Sequence, residues 1–226
     1  MALFLQHKTD DIQWAVWKME ESLEVLLALL PDARRVFCEQ DLNRFVSERR
    51  KMEWLSVRVL LYAMLQEDKE IGYSPEGKPY LTDHSFFISI SHTKGYVAVM
   101  LASFTPAGID IEQYAQRVHK VSDRYIRSDE QTEPYQGDMT WGLLLHWSAK
   151  EAVFKRMENA DADLRKLRLT HFIPQEQGTF QVQELATEQQ ELYSVGYRIC
   201  PDFVLTWTLS RIGEEMECLY LFPFSL

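Results

Sequence analysis

The stretch WSAKEAVFK, residues 147–155, has good helix formers inside it and a serine near its start that can accept hydrogen bonds from free amides. We therefore predict that a helix begins here. Helical spacing places Trp147, Glu151 and Lys155 on one face, four residues apart each time. That face carries a carboxylate with an ammonium group one turn beyond it. A Glu–Lys pair at this spacing is commonly a solvated ion pair, so the stretch indicates a site only in combination with other motifs.

A second acidic motif lies about forty residues upstream, in the sequence GIDIE at residues 108–112. In a strand, Asp110 and Glu112 lie on one face and the two isoleucines on the other. Two adjacent carboxylates repel each other, so either a cation lies between them or one is protonated. Mg²⁺ binds such oxygens and keeps positions open for water and phosphate. The alternative is an edge strand whose polar residues face solvent.

The overall charge excludes one class of function. The chain has 226 residues and a formal net charge of −10, whereas a nucleic-acid-binding surface needs an excess of Lys and Arg. The segment 117–127 is locally basic, with Arg117, Lys120, Arg124 and Arg127. A basic patch on an acidic protein fits an anionic ligand or an acidic partner.

The cysteine content and the lengths of the apolar runs indicate the cellular compartment of the protein. Three widely spaced cysteines favour neither a disulfide framework nor a zinc site, and they fit a reducing compartment. The first residues lack the pattern of a signal peptide, and the longest apolar run is too short to span a membrane. We expect a cytoplasmic protein with no membrane contact.

Hydrophobic periodicity predicts an α+β fold. We expect two similar α/β subdomains, residues 1–106 and 107–226, related by a pseudo-two-fold, each with a small, mainly antiparallel sheet and a long helix. The site would lie at their interface. Predicted strands cover residues 12–17, 86–91, 96–102, 108–112, 180–185, 192–199, 204–209 and 216–222. Predicted helices cover residues 20–30 and 41–65, and a further helix followed by a polar loop covers 113–139.

Two basic positions in the first half are candidates for binding an anion. Arg58 lies within an otherwise apolar run, where a buried charge needs an anionic partner. Lys78 lies between Gly77 and Pro79, on a stiff and exposed turn.

Four motifs in this order resemble those of the 4'-phosphopantetheinyl transferases, of the single-chain type that activates surfactin synthetase. They are Gly77-Lys78-Pro79, Ile90-Ser91-His92, the 108–112 strand and the 147–155 helix, and they span about eighty residues. Ser89 stands where the family often has asparagine. The family's early basic residues have no firm match, Arg34 and Arg35 being the nearest.

The resemblance implies a reaction and a metal. Such enzymes move the phosphopantetheine arm of coenzyme A onto a serine of an apo acyl or peptidyl carrier protein and release adenosine 3',5'-bisphosphate. By resemblance, Asp110, Glu112 and Glu151 would hold Mg²⁺, and Lys155 would contact the pyrophosphate. Glu151, directly or through a metal-bound water, is the candidate base for the serine proton.

The resemblance also implies a coenzyme site. Ser91 and His92 would bind the 3'-phosphate with Lys78 and Arg50 nearby, and Arg58 lies on the same predicted helix as Arg50. The two residues that flank Lys78, Gly77 and Pro79, would shape the adenine end of the pocket.

The remaining expectations concern the binding partners of the protein and the alternative functions. We expect a monomer that binds its carrier through the basic 117–127 segment or a nearby apolar surface. Two other functions are compatible with these residues: a metal-dependent hydrolase of the coenzyme A pyrophosphate, and a non-catalytic module that binds coenzyme A or a carrier.

Overall fold

The structure is a computed structural model that describes residues 3–157 and 163–211, with side chains up to residue 208. It combines helices with antiparallel sheets, which confirms the predicted α+β class. The pseudo-two-fold and the boundary near residue 106 stay predictions. No helix in the described ranges has the length and apolar character needed to cross a bilayer.

The first half of the chain forms a four-stranded sheet covered by helices. Its strand order is β1-β2-β6-β5, and β3 pairs with β4 in a separate small hairpin. The strands are β1 (Leu3–Lys8), β2 (Ile12–Lys18), β3 (Ile71–Tyr73), β4 (Pro79–Leu81), β5 (Phe87–Thr93) and β6 (Tyr96–Ala102). The helices are α1 (Leu23–Ala28), α2 (Asp32–Leu42) and α3 (Glu48–Leu65). Leu55, Leu60 and Leu61 of α3 are fully buried against this sheet, and this packing fixes where α3 presents its polar N-terminal turns.

The second half forms a five-stranded sheet with one long helix. The strand order is β7-β11-β10-β9-β8, all antiparallel. The strands are β7 (Ile109–Gln113), β8 (Leu167–Leu169), β9 (Gln177–Glu184), β10 (Leu192–Ile199) and β11 (Phe203–Arg211), and the helix is α4 (Met139–Arg156). Leu145, Ala149 and Val153 of α4 are completely buried in the core of this half.

Hydroxyl side chains join the two sheets where β5 meets β7. Ser89, Ser91 and Thr93 alternate along β5, so they share one face of it. Their oxygens accept hydrogen bonds from the backbone amides of Ile109 at 3.1 Å, Ile111 at 3.3 Å and Gln113 at 3.2 Å. The first half of the chain therefore reaches directly to the strand that carries Asp110 and Glu112.

The predicted 41–65 helix is wrong as a single element. Its C-terminal part is α3, but residues 43–47 separate α3 from α2, which the sequence prediction missed. Pro31, which directly follows the predicted 20–30 helix, occupies the N-cap of α2. Proline is tolerated at the start of a helix, because the first amides have no intrahelical partner. The predicted 20–30 helix is real but shorter, as α1.

The predicted start of α4 is also wrong. The helix begins at Met139, and the side chain of Asp138 caps it by accepting from the Thr140 amide. Asp138 is a stronger capping signal than a serine inside a helix. The helix predicted within 113–139 is replaced by two short 3₁₀ turns, Gln116–Lys120 and Ser122–Arg124.

The longer strands agree with the prediction, and the short ones were missed. Strands β2, β5, β6, β7, β9, β10 and β11 match predicted segments within a few residues, whereas β1, β3, β4 and β8 were not predicted. Three of these four have only three residues, too few to show an alternating pattern. The strand predicted at 216–222 lies outside the described residues.

Candidate active site

The close packing of β7 against α4 creates the site. A Cβ atom on Gly108 would lie 2.0 Å from the backbone oxygen of Ala152, so only glycine permits this approach. Thr208 of β11 fixes the same residue, since its amide donates to the Gly108 carbonyl at 2.8 Å. The strand that carries Asp110 is thereby held against the helix that carries Glu151 and Lys155.

Asp110 is the centre of the arrangement. Its side chain is buried, and Oδ1 accepts from Ser91 Oγ at 2.8 Å and from Lys155 Nζ at 2.7 Å. Lys155 Nζ also donates to the Ile109 carbonyl at 3.1 Å. Asp110 Oδ2 is buried without a hydrogen-bond partner among the described residues. A buried carboxylate oxygen with no partner is energetically unfavourable, and it marks a position for a ligand.

The pKa values of the other two carboxylates, Glu112 and Glu151, depend on Asp110. Burial, together with the negative charge of Asp110, raises the pKa of Glu112 to about 7. Burial and the same charge also raise the pKa of Glu151, and Lys155 opposes this. Trp147 Nε1 donates to Glu112 Oε1 at 2.9 Å, so α4 also orients this carboxylate. The three acidic side chains therefore share one electrostatic environment.

The acidic residues have the donor chemistry of a Mg²⁺ site without a ready arrangement of ligands. Within residues 3–157 and 163–211, no group of three or more His, Cys, Asp or Glu side chains is arranged as a ready metal site. The Lys155 ammonium group lies on Asp110 instead. The chemistry of the donors nevertheless fits a hard cation: Asp110 Oδ2 has no partner, and the raised pKa values of Glu112 and Glu151 show that added positive charge would be stabilised.

A basic cluster lies on the first half of the chain, next to β5. Arg50 Nη1 lies 3.3 Å from His92 Nε2, and both side chains are exposed in part. Burial, together with the positive charges of Arg50 and Lys155, lowers the pKa of His92, although Glu53 opposes this. Lys155 therefore lies within electrostatic range of His92, and the exposed guanidinium group of Arg50 beside it is suited to phosphate.

Glu53 organises this cluster, and the sequence analysis missed it. Its carboxylate is buried and accepts from Arg49 Nε at 2.7 Å and from Arg50 Nη1 at 3.1 Å, with His92 Nδ1 at 3.6 Å. Burial alone would raise the pKa of Glu53, but Arg49, His92 and Arg50 together hold it below its usual value. The spacing of Glu53 from the two arginines, three and four residues along a helix, could have indicated the pairing.

A cavity of about 980 Å³ opens beside Lys155. Its lining includes Gly77, Lys78, Pro79 and Lys155 of the predicted site. Lys78 Nζ donates to the carbonyl of Met157, so the turn of the first half contacts the end of α4. Apolar side chains form much of the remaining wall: Leu81, Phe86, Phe87, Ile88, Ile90, Pro106, Ala107 and Phe154.

Two predicted coenzyme-binding residues have intramolecular partners. Ser91 is buried between the sheets, bonded to Asp110. The guanidinium carbon of Arg58 lies 3.5 Å from the centre of the Trp54 ring, and its Nη1 donates to the Trp54 carbonyl at 3.0 Å. Arg58 is not part of the cavity lining, and burial lowers its pKa. Their roles in coenzyme binding stay predictions.

Lys150 belongs to the 147–155 motif but points away from the acidic group. It is fully buried, and its Nζ donates to Glu130 Oε2 at 2.7 Å and to the Tyr125 carbonyl at 2.6 Å. Glu130 also accepts from the amides of Arg127 and Leu169. This network anchors the 117–127 segment on α4.

The basic 117–127 segment is exposed at its N-terminal end. Arg117, Lys120 and Arg124 are exposed and form no ion pair with another described residue. Arg117 lies close enough to Glu112 to lower its pKa, whereas Arg127 is held by Asp129 at 2.7 Å. These three cations are therefore available to a partner, and Arg117 is the one within electrostatic range of the acidic group.

Comparisons with known proteins complete the description of the site. No curated protein matches the chain. The match to a family model begins just before Gly108 and includes β7, the basic segment, α4 and most of the second sheet. Asp110, Glu112, Glu151 and Lys155 all lie within it. Residues 106–208 match the model of the 4'-phosphopantetheinyl transferase superfamily, and in this region the chain is similar to that family.

Proposed function

We propose that this protein transfers the 4'-phosphopantetheine arm of coenzyme A to a serine of an apo acyl or peptidyl carrier protein, with Mg²⁺, and releases adenosine 3',5'-bisphosphate. The observation that carries the proposal is the Asp110–Lys155 pair beside the cavity. It combines a buried carboxylate oxygen that has no partner with an ammonium group that lines the cavity. The family match over residues 106–208 supports the same reaction class.

Charge neutralisation is the first requirement of this reaction. The transfer breaks the bond between the β-phosphorus and the bridging oxygen of the coenzyme pyrophosphate, and negative charge develops on the departing oxygen. Asp110, Glu112 and Glu151 would hold Mg²⁺, which when bound supplies positive charge to the pyrophosphate. Lys155 supplies a second positive charge, because its ammonium group lies at the cavity wall.

Binding of the coenzyme would use both halves of the chain. The Arg50–His92 pair provides an electropositive surface for the 3'-phosphate. The turn with Gly77, Lys78 and Pro79 lines the cavity and would bound the adenine end. These groups come from α3, β5 and the β3–β4 hairpin of the first half, whereas Lys155 comes from α4 of the second half. The coenzyme would therefore lie across the contact between the halves.

The carrier serine must lose its proton as its oxygen bonds to the β-phosphorus. Glu151, directly or through a metal-bound water, is our candidate base, because it lies one helical turn before Lys155 on α4 and its carboxylate interacts with Asp110. Glu112 is less suited, because one of its oxygens accepts a hydrogen bond from Trp147 Nε1.

Recognition of the carrier is proposed for the exposed cations Arg117, Lys120 and Arg124. Carrier proteins of this kind are typically acidic, and the chain itself is acidic overall, so association needs a local basic patch. The Lys150–Glu130 network anchors the segment that carries them on α4, and Arg117 lies within electrostatic range of Glu112. Since the described residues of one chain provide every proposed group, we propose a monomeric enzyme.

Intact-mass analysis of an apo carrier protein tests the proposal. The carrier is incubated with this protein, coenzyme A and Mg²⁺, with an EDTA control. We expect a gain of one phosphopantetheine mass that EDTA abolishes. Release of adenosine bisphosphate without a carrier would instead indicate a coenzyme A hydrolase. Retention of coenzyme A with no reaction on several carriers would indicate a binding module.

A further inference from the structure

Ser91 is bonded on two sides in the interface between the sheets. Its side chain is buried, with 6% of the residue exposed, and Oγ lies 2.8 Å from Asp110 Oδ1 and 3.3 Å from the Ile111 amide nitrogen. The resemblance to known transferases suggests that Ser91 contacts the coenzyme. The position of its hydroxyl suggests a different role.

The direction of these hydrogen bonds is determined by the donors available. The Ile111 amide can only donate, so Ser91 Oγ accepts from it. A hydroxyl group has one hydrogen, and Asp110 Oδ1 can accept it when the carboxylate is ionised. Ser91 therefore donates to Asp110, and its hydrogen is used inside the protein.

These hydrogen bonds determine the orientation of the Asp110 carboxylate. Asp110 Oδ1 receives two donors from different elements, Ser91 on β5 and Lys155 on α4. Two donors on one oxygen fix the rotation of the carboxylate and leave Oδ2 without a partner. Groups that hold a ligating carboxylate in this way commonly change metal affinity by about 10- to 100-fold when they are removed.

We propose that Ser91 is a positioning residue that holds Asp110 so that Oδ2 is directed to a divalent cation, rather than a residue that contacts coenzyme A. This inference rests on the proposed function, because it assigns Asp110 to the metal. The contact between the sheets then has a role as well. Through it, Ser91 in the first half of the chain orients Asp110, the proposed metal ligand in the second half.

The chain provides a matched control at Thr93. Thr93 Oγ1 accepts from the Gln113 amide in the same inter-sheet row as Ser91, but forms no bond to a carboxylate of the site. Ser91→Ala and Thr93→Val each remove one inter-sheet hydrogen bond. Only Ser91→Ala removes a donor from Asp110.

The test is Mn²⁺ binding, followed by electron paramagnetic resonance of the free ion. The protein is titrated in the presence of coenzyme A, with a protein-free control for metal held by the coenzyme. We expect Ser91→Ala to weaken Mn²⁺ binding on the order of tenfold and to raise the half-saturating Mg²⁺ concentration for transfer similarly. Thr93→Val should bind Mn²⁺ as the unaltered protein does, and Ser91→Thr, which keeps a hydroxyl, should restore most of the affinity.

Three results would overturn the proposal. The first is equal Mn²⁺ affinity in Ser91→Ala and Thr93→Val. The second is a rise in the coenzyme KM of Ser91→Ala at saturating metal with Mn²⁺ binding unchanged, which would assign Ser91 to the coenzyme. The third is no Mn²⁺ binding by the unaltered protein. If the protein binds Mn²⁺ as expected but transfers nothing to any carrier, the transferase proposal fails while the role of Ser91 stands.

Discussion

Lys155 Nζ lies 2.7 Å from Asp110 Oδ1 and joins the last turn of α4 to β7. The two residues are 45 positions apart in the chain, and Gly108 permits the approach that brings them together. The pair holds the Lys155 ammonium group, which lines the cavity, against Asp110. A substitution of either residue should therefore reduce activity more than stability.

Lys155→Ala should lower kcat by about 100- to 1,000-fold, as is typical when one charge-stabilising group is removed from an active site. Asp110→Asn should reduce transfer below detection, since it removes the charge that would hold the metal. The thermal midpoint of Lys155→Ala should also fall in the absence of metal, because the buried Asp110 carboxylate loses its cation. Lys8→Ala, on the outer strand β1, is the control. Near-normal turnover of Asp110→Asn with Mg²⁺ would refute the metal assignment.

Gly108→Ala should destabilise the protein and disturb the site together. The added Cβ would lie 2.0 Å from a backbone oxygen, so β7 or α4 must move. Overpacking of this kind typically lowers the free energy of unfolding by about 1–3 kcal/mol, and more when backbone must shift. Urea denaturation measures the loss, and single-turnover kinetics measures the activity. A stable variant with full activity would show that the close approach is not required.

Glu53→Gln should weaken coenzyme binding without slowing the chemical step. Its carboxylate holds Arg49, Arg50 and His92, so its loss releases the basic cluster. We expect the coenzyme KM to rise about tenfold with kcat nearly unchanged, the pattern of lost binding rather than lost catalysis. Glu48→Gln, on the same helix and paired with Lys51 at 2.6 Å, is the matched control. A fall in kcat at constant KM would place the cluster in the chemical step.

Charge reversal on the basic segment tests carrier recognition. The double variant Arg117→Glu, Arg124→Glu should raise the carrier KM on the order of tenfold, with the effect shrinking at high salt because exposed charges are screened. The coenzyme KM should stay constant. The double variant Arg44→Glu, Arg168→Glu, with both side chains exposed outside the segment, controls for the change in net charge. An unchanged carrier KM at low salt would show that the carrier binds to a different surface.

His146 should make stability depend on pH below neutrality. Burial, with the charge of Lys150, lowers the pKa of His146 to about 3, and both ring nitrogens lack hydrogen-bond partners among the described residues. The unfolded chain binds the proton with a pKa near 6.5, so stability is full above that value and falls as the pH drops towards 3. At pH 5 the loss should be about 2 kcal/mol relative to pH 8. His146→Phe should remove this part of the pH dependence in urea denaturation. An identical pH dependence in the two proteins would show that His146 titrates normally.

Strand and helix periodicity are local properties, and they predicted the long strands of both sheets. They also predicted that Asp110 shares a strand face with Glu112 and that Glu151 shares a helix face with Lys155. That these two faces meet was implied only by the family resemblance. The resemblance in four ordered motifs added the reaction.

Contacts between distant segments could not be predicted from local patterns. Ser91 alternates on β5 like any half-buried polar residue, and only the packing of β5 on β7 shows that it reaches Asp110. Lys150 is adjacent to Glu151 and carries the same charge as Lys155. Its side chain nevertheless points into the core, where it forms an ion pair with Glu130. The start of α4 was misplaced because the apolar run before Trp147 gives no clear face, and the cap at Asp138 was overlooked.

The central claim is tested most directly by a time course of adenosine 3',5'-bisphosphate release, with an apo carrier, without it, and with a carrier whose acceptor serine is changed to alanine. The account predicts release only with the intact acceptor serine, in equal amount to the carrier that gains the phosphopantetheine mass. Release at the same rate in all three reactions would contradict it and would identify a hydrolase.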